Sequence, residues 1–327
     1  MSPPLVARLA SALTCGSPAR EPSQQEHLAI ATTTVIERTS EAPHLRVVPR
    51  LRELWGYREI LANLVRKELK VKYTASFLGA IWSVLNPIVF LAVFSFVAIV
   101  LDNRVPDFPV FLLSGLLAWN LFSASLLSGS SAVIDNANLV KKVAFPREIL
   151  PLASVGVALF DFALQTTVLL AFIVVSGHGI GAEALVLYPM AFATLMVFTT
   201  AITLWSAALN VRYRDVGHLL NLGLLVWFWM TPIVYQAALV QQTLVERDVA
   251  GVSLWNLYLV NPLAPIVLGF QRALYGDPVQ DGMQVLPELS VAWQAGLLAL
   301  ALAVSAGFLL LAWRTFFRRS GDFAEEL

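Results

Sequence analysis

The residues able to do chemistry are few, and they lie far apart. Asp161 is a lone carboxylate inside an apolar run, 149–175. A charge at that depth costs about 2.5–3.5 kcal/mol on insertion scales, so Asp161 must face protein or water rather than lipid. A structural hydrogen bond, to the small-residue run before it or across a dimer interface, is the preferred role; a proton relay is the other. Arg66, Lys67, Lys70 and Lys72 form a basic cluster interrupted by Glu68. Cations at the edge of a membrane are suited to phosphate groups. Asn221, Phe228, Thr231 and Tyr235 recur at spacings of seven, three and four, which gives a helix one polar-aromatic stripe.

Other chemistries lack their residues. His27, His44, His178 and His218 have no metal-ligand spacing, so no metal site is expected. The single cysteine, Cys15, excludes an internal disulfide. No Gly-Lys pair occurs, hence no phosphate-binding P-loop, and no Gly-x-Ser-x-Gly nucleophile elbow is present.

The elements that must position these residues are membrane-spanning. Of 327 residues, 57% are hydrophobic and 13% charged, with mean hydropathy +0.71. That charge is too sparse to cover a soluble surface. From Gly79 to Leu101 no side chain is ionisable, a length that spans a hydrocarbon core of about 30 Å. Five further largely apolar runs follow. The expected spans are 79–101, 110–133, 149–175, 184–209, 217–235 and 291–313. Asn86-Pro87 predicts a kink in the first, and the second is rich in Ser and Gly, which allow close helix packing.

The fold class expected is therefore an all-α membrane protein with six transmembrane helices. An amphipathic interfacial helix precedes them. Along 57–73, Tyr57, Ile60, Leu61, Leu64, Val65, Leu69 and Val71 share one arc, and Glu59, Asn63, Arg66, Lys67 and Lys70 the opposite one. Glu68 falls inside the apolar arc, which predicts either a salt bridge to a basic loop or a side chain snorkelling to water. Residues 1–48, rich in Ser, Thr, Pro, Glu and Gln, are expected as a disordered cytoplasmic tail. The segments are thus a tail (1–48), an interfacial segment (49–76), a transmembrane domain (77–320) and a C-terminal tail (321–327). Between the fifth and sixth spans, 254–275 is cut by Asn261-Pro262 and Pro265; short outer-surface helices or a re-entrant hairpin are expected. Basic residues gather in 58–72, 141–147, 212–214 and 314–319, whereas Arg104, Arg247 and Arg272 lie on the other side. The positive-inside rule then puts both termini in the cytoplasm.

Four stretches in order resemble a known family: RKELKVKYTASFLGAIWSVLNPI (66–88), KKVAFPREILPL (141–152) with Asp161 after it, NVRYRDV (210–216) and NPLAPIVLGFQRALYG (261–276). Together they are similar to the membrane subunit of ABC-2 type transporters that export O-antigen, capsule, teichoic acid or cell-wall galactan. The resemblance covers roughly 50–320. It implies two copies of this chain (a homodimer) and two copies of a cytosolic ABC ATPase. It also implies a polyprenyl-diphosphate-linked polysaccharide as cargo, and a place in the bacterial inner membrane. No cofactor is expected on this chain; ATP and Mg would sit on the ATPase, and no nucleic acid is expected as partner.

On that resemblance the residues take roles. Leu139, Val140, Lys141, Lys142 and Phe145, with Glu68, would contact the ATPase. Arg66, Lys67, Lys70 and Lys72 would receive the lipid diphosphate headgroup. Ser83, Asn86, Phe90, Asn221, Phe228, Thr231 and Tyr235 would line the path, aromatic faces meeting sugar C–H surfaces. Three alternatives stand beside this reading: an ABC-2 exporter of a lipid or small drug, a membrane glycan ligase or transferase that acts alone through Asp161, and a passive channel.

Overall fold

A computed structural model describes residues 47–74, 79, 81–100, 105–143, 145–245, 248–249, 252–276, 279–280 and 282–327. The expected disordered tail lies, up to residue 46, outside the described residues. Everything described belongs to one unit, 44–327.

Two helices precede the spans, α1 (Val47–Gly56) and α2 (Arg58–Thr74). Four long helices follow: α3 (Ile81–Val100), α4 (Phe108–Asp135), α6 (Ile149–Ser176) and α7 (Ala184–Arg212); the short α5 (Ala137–Lys142) lies between α4 and α6. Next come α8 (Val216–Trp229), α9 (Ala237–Val245), α10 (Leu254–Leu259) and α11 (Leu263–Leu274). The chain closes with α12 (Val291–Arg319) and α13 (Phe323–Glu326). The all-α expectation is met except for two antiparallel hairpins of two-residue strands, β1–β2 (Asp248–Val249 with Val252–Ser253) and β3–β4 (Val279–Gln280 with Met283–Gln284). The polar stretch after the fifth expected span also holds a helix, α9.

Among the described residues, five helices are long and apolar enough to cross a membrane: α3, α4, α6, α7 and α12. The fifth expected span, 217–235, forms α8 of 14 residues instead. Its length of about 21 Å falls short of a hydrocarbon core. The reason is local: Pro232 lacks an N–H and pushes Thr231 out of helical geometry, so the helix ends before them. In α3, by contrast, Pro87 is accommodated inside a continuous helix.

α4 is the hub. It packs against α6, α7, α11 and α8, and is the most deeply buried of the long helices. Gly129 makes this possible: a Cβ there would stand 2.2 Å from Thr203 Cγ2 on α7. α11 is buried along its whole length against α7 and α4, as two short helices before the last span require if their backbone is to avoid lipid. α12 lies along α7, and α2 lies on α6. That last contact also uses a glycine, since a Cβ on Gly156 would meet Val65 Cγ2 at 2.8 Å. The apolar arc of α2 is therefore turned at least partly toward protein.

Candidate functional site

Asp161, 8% exposed on α6, is the centre of a polar network. Its Oδ2 accepts from Lys72 Nζ at 2.6 Å, and its Oδ1 accepts from Ser83 Oγ at 2.9 Å. Tyr73 donates its hydroxyl to the same Oδ1 and lies 2.6 Å from Ser83 Oγ. Burial first, and the Asp161 carboxylate second, push the Tyr73 phenol above its ordinary range, so it stays protonated as a donor. The hydrogen-bond partners of Asp161 thus come from α2 and α3, not from the serine-rich α4. One turn further along α6, Gln165 Nε2 donates to Ser83 O (3.2 Å) and Gln165 Oε1 accepts from Asn120 of α4 (2.9 Å). Helical spacing of four puts Asp161 and Gln165 on one face, and together they pin α3 against α4 and α6.

The four expected headgroup cations do not act as one group. Arg66, Lys67 and Lys70 are exposed on α2, whereas Lys72 turns inward to Asp161. Glu68, half-buried, pairs with its exposed neighbour Lys67 at 3.6 Å. Such a pair contributes little. Glu68 and Lys67 also border a cleft of ≈ 310 Å³ whose other wall holds Ser128, Ser131, Asp135 and Asn136 of the α4 end.

The segment around α5 has two faces. Lys141 and Lys142 are exposed, as is Leu139 at 37%. Val140 is buried, and both Val140 and Phe145 pack into a cluster with Phe316 and Phe323 from the C-terminal end. Just beyond lies an arrangement that the sequence reading missed. Glu148 is fully buried, and both its oxygens accept from the Arg50 guanidinium of α1 at 2.9 Å. Trp313 Nε1 of α12 donates to the same carboxylate at 3.3 Å. Arg50 also stacks over the Phe317 ring, 4.7 Å from its centroid, while Arg147 donates to Ser320 O. α1, the loop after α5 and the end of α12 are thereby joined. In the sequence, Arg147-Glu148 beside Pro146 reads as an ordinary solvated loop; only the unusual placement of two opposite charges directly before an apolar helix hinted otherwise.

The seven expected path residues lie in several different environments. Ser83 and Asn86 belong to the Asp161 side. Phe90 and Phe228 pack together (6.3 Å between centroids), and Phe228, only 8% exposed, also meets Trp119 at 5.3 Å. Thr231 is fully buried; it donates to Trp227 O at 2.8 Å and accepts from Asn261 Nδ2 at 3.2 Å. Asn221 is exposed and donates to Gly217 O, and Tyr235 donates to Trp229 O at 3.0 Å while meeting Tyr258 OH at 3.1 Å. The structure therefore does not gather the stripe on one open face: α8 ends before Thr231, and the helical spacing that defined the stripe stops there.

Sequence comparison places this geometry. The model of the ABC-2 type transporter family matches residues 60–275. The chain belongs to that family. It is similar to the O-antigen export system permease protein RfbA of Myxococcus xanthus, 34% identical over 281 residues that cover 85% of this chain and 98% of the relative. It is also similar to a protein of the same name from Klebsiella pneumoniae, 27% identical over 76% of this chain and 90% of the relative. As an ABC-2 membrane protein it is a multi-pass transport subunit. The family match runs from α2 to the end of α11, so it contains the Asp161 network, α5 and α8. Arg50 and Trp313, the partners of Glu148, lie outside it.

Proposed function

We propose that this chain is the membrane subunit of an ATP-driven exporter that moves a polyprenyl-diphosphate-linked polysaccharide from the cytoplasm across the bacterial inner membrane. The observation that carries this reading is the likeness to an O-antigen export permease over nearly that protein's whole length. Two copies of the chain pair with two copies of a cytosolic ABC ATPase, which binds ATP and Mg. Both termini face the cytoplasm, on the side of Lys141, Lys142 and Arg147. The chain crosses six times: α8 makes the fifth crossing together with the irregular stretch after it, whose Thr231, Pro232 and Ile233 are buried in protein, the condition under which non-helical backbone is tolerated at membrane depth. α5 offers Leu139, Lys141 and Lys142 to the ATPase from a base anchored by Val140. The exposed Arg66, Lys67 and Lys70 meet the lipid diphosphate at headgroup depth.

The experiment is depletion of the protein in its native cell with an inventory of lipid-linked glycans by extraction and mass spectrometry. Build-up of one polyprenyl-diphosphate glycan with loss of surface polymer is the expected result. Unchanged surface polymer without build-up would overturn the reading in favour of lipid or drug export.

A further inference from the structure

Beside the Asp161 network lies a cleft of ≈ 280 Å³ between α3, α4 and α6. We propose that this cleft is a sugar-binding subsite that holds a neutral pyranose ring of the passing glycan; the proposal rests on the polysaccharide-export reading above.

Its chemistry is the argument. One side carries Asn86, Asn120, Ser123 and Gln165. Asn120 already donates to Gln165, Gln165 to Ser83 O and Ser123 to Trp119 O, but the second N–H of each of these amides, the Asn120 carbonyl, the Ser123 lone pairs and the Asn86 amide still provide both hydrogen-bonding senses. Sugar hydroxyls need both senses at once. Trp82, 54% exposed, stands at the same cleft and presents an aromatic face to sugar C–H bonds. The two charges at its floor, Lys72 and Asp161, neutralise one another at 2.6 Å. The cleft therefore offers no spare cation to an anion, which separates it from the exposed basic residues of α2. A neutral, hydroxyl-rich ligand fits where a phosphate does not.

The cleft is also one stage of a longer furrow. It shares Lys72, Asp161, Ala124 and Ala158 with a second cleft of ≈ 320 Å³. That one shares Glu68, Ser128 and Ser154 with the third, which reaches Asp135 and Asn136 at the α5 end of α4. Three adjoining clefts of similar size, each setting polar groups among apolar surface, run along one face of α4 and α6 and suit a polymer that advances ring by ring. The small side chains Ala124, Ser128, Ser154 and Ala158 keep the furrow open. It runs beside α2 and α3 rather than along the α8 stripe.

The test uses the full-length chain in its native cell, with Cys15 replaced by Ser and one new thiol introduced by Ser123→Cys. Labelling by N-ethylmaleimide is compared with polymer synthesis switched on and off. A parallel Ser176→Cys variant, outside the cleft, serves as control. Protection of the Ser123→Cys thiol only while polymer is being made, with the control labelled equally in both states, is the expected result. Equal labelling of both thiols in both states, in cells that still export, overturns the subsite. It leaves the export reading standing, because that is judged separately by depletion. A second variant, Ala124→Trp, fills the furrow from an exposed position. Export should fall at least tenfold at unchanged protein level; export undiminished by Ala124→Trp also overturns the proposal.

Discussion

Lys72 Nζ stands 2.6 Å from Asp161 Oδ2, although 89 residues separate the two in sequence. The ion pair closes the amphipathic α2 onto α6 and sits beside the turn into the first span. Its two halves differ in exposure. The Lys72 side chain is 43% exposed and borders water, whereas that of Asp161 is 12% exposed. Asp161→Asn retains an acceptor for Ser83 and Tyr73 and releases Lys72 outward, a loss of about 1 kcal/mol or less. Asp161→Leu leaves the two hydroxyls only each other, 2.6 Å apart, so one O–H loses its acceptor, at about 1–3 kcal/mol. Thermal melting of the purified protein should rank wild type, Asp161→Asn and Asp161→Leu in that order, with a small first step and a larger second. If Asn proves as damaging as Leu, the charge itself and not the hydrogen bonding holds the network.

Gly156 sets the distance between the same two helices. A Cβ there would meet Val65 Cγ2 at 2.8 Å, with no other neighbour closer than 3.8 Å. Gly156→Leu should therefore lift α2 from α6 and destabilise by about 1–3 kcal/mol. Removal of the obstructing methyls by Val65→Ala should return part of that loss in the double variant. An additive double variant in a melting experiment would show that the close approach is not what matters at Gly156.

How much of this was legible in the sequence follows from the range of the interactions. The long spans were readable because an apolar run of twenty residues is a local signal, and α3, α4, α6 and α7 lie within about three residues of expectation, while α12 starts where expected and continues past it to Arg319. α8 was read too long, since hydropathy continues through Pro232 while the helix does not. The division of labour among Arg66, Lys67, Lys70 and Lys72 was hidden. A helical wheel sorts cations by angle but says nothing of a carboxylate 89 residues away. Asp161 itself was legible as a residue in need of a partner, because burial cost is local; that partner's identity was not. Glu148 was missed for the converse reason. A charged residue next to Arg147 in a loop gives no sign that Arg50 and Trp313 enclose it.

The Arg50–Glu148 pair predicts an asymmetry. The Glu148 side chain has no exposure, while that of Arg50 keeps 17%. With Arg50→Ala, a carboxylate stays locked inside with only the Trp313 N–H, a loss of about 3–5 kcal/mol for an abandoned buried charge. With Glu148→Gln, the guanidinium can still reach water, and the amide oxygen can still accept from Trp313, so the loss is smaller. Melting of the two single variants tests this. Greater damage from Glu148→Gln would mean that the pair is held by something other than the burial of the carboxylate.

The two faces of α5 separate folding from coupling. Lys141 and Lys142 are exposed and Val140 is 5% exposed within the Phe316–Phe323 cluster. Charge reversal at the exposed pair, Lys141→Glu with Lys142→Glu, touches no packing and should leave protein level and melting within about 0.5 kcal/mol of wild type. If α5 is the surface that meets the ATPase, the same variant should lose co-purification of that subunit and most export. Val140→Asp, which puts a charge into the cluster, should instead abolish the folded protein. The decisive result is the Lys141→Glu, Lys142→Glu variant at normal abundance: an ATPase that still co-purifies, with export intact, would place the coupling surface elsewhere on the chain.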